Sequence, residues 1–240
     1  MSSVGRTQSM AAIVEADRPA VLFDMDGVVI TGRSSDPIVH ERAMEDLLVD
    51  YGLRVPETLR PALSAYEYSE SFIDACEAIE VDPVPFYTAR ELHSARRIAD
   101  RVEAGVRRLT PGVSALARLA EGYELALVSN NYHRVVETVV EHFQLDHFTV
   151  VRGREPGVVG FRRRKPEPFY LEETLERLGA DAGLYVGDRE TDLQAAARAD
   201  LDSVYVSRPY NDPEALETEP TAVIDSLTEL QALLESPAGR

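Results

Sequence analysis

The stretch that decides the fold is Ala20-Val21-Leu22-Phe23-Asp24-Met25-Asp26-Gly27-Val28-Val29-Ile30. A continuous apolar run that stops at Asp and Gly suits an inner strand of a parallel sheet, buried on both faces. Upstream, residues 1–18 read as an N-terminal tail with no targeting signal. Their only apolar run, Ala11-Ala12-Ile13-Val14, is too short for a signal or a membrane span. Downstream, from about Arg33 to Arg108, the pattern is helix after helix, with helical stretches expected near 36–52, 56–66, 69–80 and 83–107.

After Thr110-Pro111-Gly112 strands and helices alternate. A helix over 113–121 leads to strand Glu124–Val128, which ends at Ser129-Asn130. A helix with Val135, Val136, Val139, Val140 and Phe143 on one stripe follows, then a strand at 148–151. Pro166 is expected to open the next helix, before strand Leu184-Tyr185-Val186 ends at Gly187-Asp188. A helix at 190–199, a strand at 203–206 and a last helix capped by Ser226 and Glu229 complete the set. The pattern predicts an α/β, doubly wound parallel (Rossmann-like) sheet. The expected core is 19–32 with 109–240, interrupted after its first strand by a helical insert over 33–108.

Composition bounds the function. The 240 residues carry a net charge of −17, which argues against nucleic acid or an anionic membrane as partner. Hydrophobic residues at 44% suffice for a packed core. One cysteine, Cys76, excludes an internal disulfide framework and a Cys-rich zinc site. Of 25 basic residues only Lys165 is a lysine. Excess carboxylate with lysine nearly eliminated is the surface expected of a halophile, where molar salt screens self-repulsion. The expected compartment is the cytoplasm. A homodimer is the expected assembly.

In an open parallel sheet, ligands bind at the carboxyl ends of the strands. Asp24, Asp26, Ser129, Asp188 and, four residues on, Asp192 all collect there, with Lys165 in a loop before a helix. Crowded carboxylates call for a hard divalent cation, and Mg²⁺ in turn usually brings a phosphate. Asp24 and Asp26, two apart on an extended segment, project to one side. One can attack phosphorus while the other handles the leaving group's proton. Lys165 would neutralise charge and Ser129 would donate to a phosphoryl oxygen. A calcium loop of the EF-hand type fits less well, since its twelfth position would be Ser35 rather than Glu.

The segments Asp24-Met25-Asp26-Gly27-Val28, Ser129-Asn130, Lys165-Pro166-Glu167-Pro168 and Gly187-Asp188-Arg189-Glu190-Thr191-Asp192 resemble, in order, the four motifs of the haloacid dehalogenase superfamily. The helical insert resembles its C1 cap, as in phosphoglycolate phosphatase-like members, and Thr110-Pro111-Gly112-Val113 fits that subgroup. The resemblance covers about residues 19–235. It implies Asp24 as nucleophile and metal ligand, and Asp26 as general acid/base with its carbonyl on Mg²⁺. It implies Asp188 as the third protein ligand, with Asp192 one layer behind or on a water of the metal. Ser129 and Asn130 would bind the phosphoryl group, which Lys165 would hold together with Asp24. One departure is Ala199-Asp200, where relatives often have Ala-Gly.

Single residues separate the sub-activities that the resemblance allows. Asp26 argues against a dehalogenase, whose halide leaving group needs no proton. The insert has no lysine for a Schiff base, which excludes a phosphonoacetaldehyde hydrolase. The expectation is a Mg²⁺-dependent phosphatase of a small phosphorylated metabolite working through an aspartyl-phosphate. A sugar phosphomutase is the alternative, and an inactive ligand-binding or regulatory module is the alternative of another class. Two further groups of cations are read as paired surface charge: Arg162-Arg163-Arg164, and Arg90, His93, Arg97 and Arg101 on one helical face. The five histidines are read as structural or solvated. The charge itself makes one prediction: the thermal midpoint should rise with KCl, and a midpoint flat in KCl would contradict the salt-adaptation reading.

Overall fold

A computed structural model describes residues 19–33, 36–180 and 182–235, so the expected tail over 1–18 lies outside the described residues. Six strands form one sheet: β1 (Pro19–Phe23), β2 (Glu124–Tyr132), β3 (Val150–Arg154), β4 (Ala182–Gly187), β5 (Asp202–Val206) and β6 (Ala222–Ile224). All pair parallel, in the order β3-β2-β1-β4-β5-β6. The chain reverses its direction of travel across the sheet at β1. There β2 and β4 flank β1 on opposite sides, which makes the crevice beyond their carboxyl ends the natural ligand site.

Helices cover both faces, so alternate residues of each inner strand enter different cores. Val21, Phe23, Leu125, Leu127, Leu184 and Val186 pack with α5 (Ala115–Leu119), α6 (His133–Phe143) and α10 (Leu227–Glu235). Ala20, Leu22, Ala126, Val128 and Tyr185 face the opposite way, onto α8 (Phe169–Leu178) and α9 (Glu190–Arg198). This double burial is why the strands read as unbroken apolar runs.

Between β1 and β2 lie α1 (Ile38–Asp50), α2 (Arg60–Ser64), α3 (Glu70–Ala78) and the long α4 (Pro83–Glu103). They share their own core of Met44, Leu47, Leu63, Phe72, Phe86 and Tyr87. Asp82 caps α4 by accepting from Val84 N at 3.0 Å, and Pro83 follows as its first residue. Apolar contacts tie this insert to the sheet. The far half of α4 enters the sheet's core through Ala95, Ile98 and Val102. Phe161, from α7 (Val158–Arg162), enters the insert's core.

Several local expectations shift. α7 and the three-residue β6 carry no periodicity long enough to read. α8 begins at Phe169 rather than Pro166, because the Lys165 backbone is bound at both ends by the Asn130 side chain. Asp200, standing where relatives often have Gly, takes a left-handed φ of 56°, a conformation that Asp tolerates better than most residues. Glu229 caps α10 one residue earlier than expected, its carboxylate accepting from Asp225 N at 3.1 Å. No helix among the described residues is long and apolar enough to cross a membrane.

A buried ion pair joins insert to sheet. Glu91 of α4 and Arg154 at the end of β3 are both 0% exposed. Arg154 Nη1 donates to Glu91 Oε2 at 2.9 Å, and Nη2 to Oε1 at 2.5 Å. Gly157 N and the Tyr132 hydroxyl donate to the same carboxylate, at 2.6 and 3.2 Å. Removing one partner of such a pair strands the other as a buried charge. Glu91→Ala is therefore expected to cost about 3–5 kcal/mol in urea unfolding, and a loss below about 1 kcal/mol would show the pair to be solvated.

Candidate active site

Strand register brings the predicted residues together. Phe23 pairs with Leu127 on one side and Val186 on the other, so Asp24, Ser129 and Asp188 emerge side by side. Asp24 N donates to Val186 O at 2.8 Å, which holds the first Asp against β4. Gly27 takes a φ of +83°, and a Cβ there would overlap the Asp188 carboxylate and the Tyr210 hydroxyl. Gly187 is likewise required, since a Cβ would overlap the Asp192 side chain.

Lys165 is at the centre. Its ammonium is buried, 2.8 Å from Asp24 Oδ1 and 2.7 Å from Asp192 Oδ1. Burial works against its charge, but Asp192 and Asp24 outweigh that and hold its pKa above the ordinary lysine value. The Tyr185 hydroxyl accepts from the same ammonium and donates to Val128 O at 2.8 Å. Nothing in the sequence reading singled Tyr185 out; its signal is a phenol within a buried strand, where the hydroxyl needs partners.

Asn130 and Asp192 have partners that their spacing alone does not name. The Asn130 amide donates to Lys165 O at 2.9 Å and its oxygen accepts from Lys165 N at 2.8 Å. The side chain thus sets the lysine loop. Asp192 Oδ2 accepts from the backbone of Asp188 at 3.1 Å and of Arg189 at 3.0 Å. Its other oxygen faces Lys165. Ser129 Oγ accepts from Asn131 N at 3.2 Å, which leaves its proton to donate into the cavity.

Asp26 is held from two directions. Arg107 Nη2 donates to its Oδ1 at 2.7 Å and Asn131 Nδ2 to its Oδ2 at 3.1 Å. Burial pushes its pKa up, partly countered by Arg107. The sequence reading missed both partners, which lie 81 and 105 residues away along the chain.

The donor set fits a divalent cation. Carboxylate oxygens of Asp24, Asp188 and Asp192 lie within 4.8 Å of one another. Asp188 Oδ1 is buried with no hydrogen-bond partner, its one ion-pair contact being Arg189 Nε at 3.7 Å, while Oδ2 accepts from Tyr210 Oη at 2.8 Å. Burial, then the charges of Asp24 and Asp192, push the Asp188 carboxyl up to about 7. A buried oxygen without a hydrogen bond, beside two further carboxylates, is what a hard cation relieves.

These groups open into a cavity of about 900 Å³ between the sheet edge and the insert. Of the helical face weighed in the sequence, Arg97, Arg101 and His93 lie against Asp46, Asp36 and Asp50. Arg90 differs: it is buried, its Nε has no hydrogen-bond partner, and it has no carboxylate partner among the described residues. Its Nη1 lies 3.4 Å from Nδ1 of His40, a residue on the cavity wall. The same Nδ1 lies 3.0 Å from Ser94 Oγ. Burial, then the Arg90 charge, lowers the His40 pKa to about 4, so the ring is neutral. Arg163 and Arg164 stack on Phe169 and Phe161, and Arg164 also pairs with Glu67.

Residues 19–200 match the family model of haloacid dehalogenase-like hydrolases. A phosphoglycolate phosphatase of Mesorhizobium japonicum is 32% identical over 92% of this chain and 99% of its own. Among solved structures, a predicted phosphoglycolate phosphatase of Haemophilus somnus superposes with a TM-score of 0.60 at 20% identity, covering 92% of this chain and 100% of that one. CbbY of Rhodobacter sphaeroides, solved in complex with phosphate, gives 0.59 at 20% identity over 88% and 95%. With the motif residues gathered at one sheet edge and the family model spanning most of the protein, this chain belongs to the haloacid dehalogenase-like hydrolases.

Proposed function

We propose that the protein is a Mg²⁺-dependent phosphomonoester hydrolase that works through a phosphoryl group carried on Asp24. The observation that carries this reading is the Lys165 ammonium between Asp24 and Asp192, beside a buried Asp188 oxygen that lacks a donor. An Asp24 oxygen attacks phosphorus, and the bond from phosphorus to the ester oxygen breaks. Asp26 gives its proton to that departing oxygen. Asp26 then takes a proton from the water that attacks the aspartyl-phosphate, which releases inorganic phosphate and restores Asp24. Lys165 and the Ser129 hydroxyl stabilise charge on the phosphoryl oxygens. Asp24, Asp188 and the Asp26 carbonyl would hold Mg²⁺, which when bound supplies positive charge against the phosphoryl oxygens.

The substrate we propose is a small ester whose alcohol carries a carboxylate, with 2-phosphoglycolate the first candidate. The name of the Mesorhizobium relative supports it, and so does the insert wall of the cavity. Where that wall meets the end of β3, Arg154 lines the cavity and Arg90 lies behind His40, with Glu91 the buried carboxylate beside them. The compartment proposed is the cytoplasm, and the assembly a homodimer.

Phosphate release should be measured from p-nitrophenyl phosphate, 2-phosphoglycolate and sugar phosphates, in molar KCl with and without Mg²⁺. Release that needs Mg²⁺, favours 2-phosphoglycolate and falls at least about 1,000-fold in Asp24→Asn is the expected outcome. No release from folded wild type would overturn the phosphatase and favour a mutase or a binding module. A second test concerns protons. A carboxyl raised to about 7 must lose its proton to bind a cation, so Mg²⁺ should raise the melting temperature more at pH 8 than at pH 6. Without Mg²⁺ the sign reverses: the raised pKa makes Asp188 destabilising as pH climbs from about 4 through 7. Equal Mg²⁺ effects at both pH values would contradict this.

A further inference from the structure

Two segments connect the helical insert to the sheet, one leaving after Ile30 and one returning before Thr110. They are bound to each other. Thr31 N donates to Arg108 O at 2.7 Å, Arg108 N to Thr31 Oγ1 at 3.2 Å, and Ile30 and Leu109 form an antiparallel bridge. Arg107 lies in the returning segment, and its guanidinium reaches across to the outgoing one. Its Nε donates to Thr31 O and its Nη2 to Gly32 O, the latter at 2.9 Å. Gly32 turns there with a φ of +90°. The same Nη2 donates to Asp26 Oδ1 at 2.7 Å, and the side chain is only 15% exposed.

A surface ion pair would leave the guanidinium free to swing. Here two backbone carbonyls pin the planar fork, so the second hydrogen of Nη2 has one direction, toward Asp26. Asn131 holds the other Asp26 oxygen from the end of β2, with its own amide oxygen fixed by Tyr132 N at 2.9 Å. The orientation of the Asp26 carboxylate is therefore set between the sheet and the insert linkers. Without Arg107, a single neutral hydrogen bond would remain to orient it.

We propose that Arg107 is a positioning residue for Asp26, and that it makes proton delivery to the leaving-group oxygen depend on the two insert linkers being in register. The inference rests on the phosphatase reading given above. It requires no contact between Arg107 and substrate.

The test compares two esters of similar size, p-nitrophenyl phosphate and benzyl phosphate, with wild type, Arg107→Met and Arg107→Lys in Mg²⁺. Nitrophenolate leaves without a proton, whereas a benzyl alkoxide is too basic to leave unprotonated. The readout is kcat/KM, which covers only the steps through release of the alcohol or phenol. Arg107→Met should lower kcat/KM for benzyl phosphate about 100-fold, the scale of lost general-acid catalysis, and for p-nitrophenyl phosphate less than about fivefold. Arg107→Lys keeps the charge and the aliphatic stem without the fork. It should show the same skew at smaller size, which keeps the test decisive if the methionine variant does not fold. Equal losses on both esters, or no loss on benzyl phosphate, would overturn the positioning role while leaving the phosphatase standing. A folded wild type inert toward both esters would defeat the phosphatase reading itself, and the inference with it.

Discussion

The Lys165 ammonium, sealed from water between the Asp24 and Asp192 carboxylates, is the interaction around which the site is arranged, and three separate chain segments must be correctly placed for it to form. Asp24 comes from the end of β1, Asp192 from α9 after β4, and Lys165 from the loop that Asn130 clamps. A buried ammonium without its carboxylates would be very costly, as would the carboxylates without the ammonium. Parallel pairing of β1 with both β2 and β4 is what makes the meeting geometrically possible. The fold and the chemistry are thus conditions of each other here. The same arrangement leaves one Asp188 oxygen buried and undonated, so the site as a whole calls for a cation.

Much of this was legible in the residues because the sheet's physics writes itself locally. An inner strand must be apolar on both faces, so β1, β2 and β4 stood out, and the polar residues ending them marked the crevice. Asp24, Asp26, Ser129, Lys165 and Asp188 all line that crevice or border it. What was illegible depends on partners far apart in sequence. Arg107 looked like any linker arginine, and its meaning comes from Asp26, 81 residues earlier. Tyr185 looked like strand filler, yet its hydroxyl joins the Lys165 ammonium to a β2 carbonyl. The place of Asn130 beside Ser129 suggests a phosphate contact, and the two bonds of its amide to the lysine loop show only in the fold. Short elements also escaped, since α7 and β6 hold too few residues for a period to show.

The insert wall shows how an acidic chain handles positive charge. Arg97 and Arg101 of α4 face water and meet carboxylates, which a net charge of −17 supplies in plenty. Arg90 and Arg154 are instead withdrawn from solvent, with only Glu91 buried between them. Bulk salt screens the surface pairs strongly and the buried group weakly. An electrostatic preference at the cavity wall can therefore persist under ionic strengths that erase the protein's outer field.

In the proposed mechanism the phosphoryl group passes through the Asp24 carboxylate in two displacements rather than moving directly to water. The most direct measurement is the stereochemical course at phosphorus, using an ester made chiral there with oxygen isotopes and sulfur. Two in-line displacements predict net retention of configuration. Net inversion would mean that water attacks the ester directly, and Asp24 would then be a base or a metal ligand but not the nucleophile.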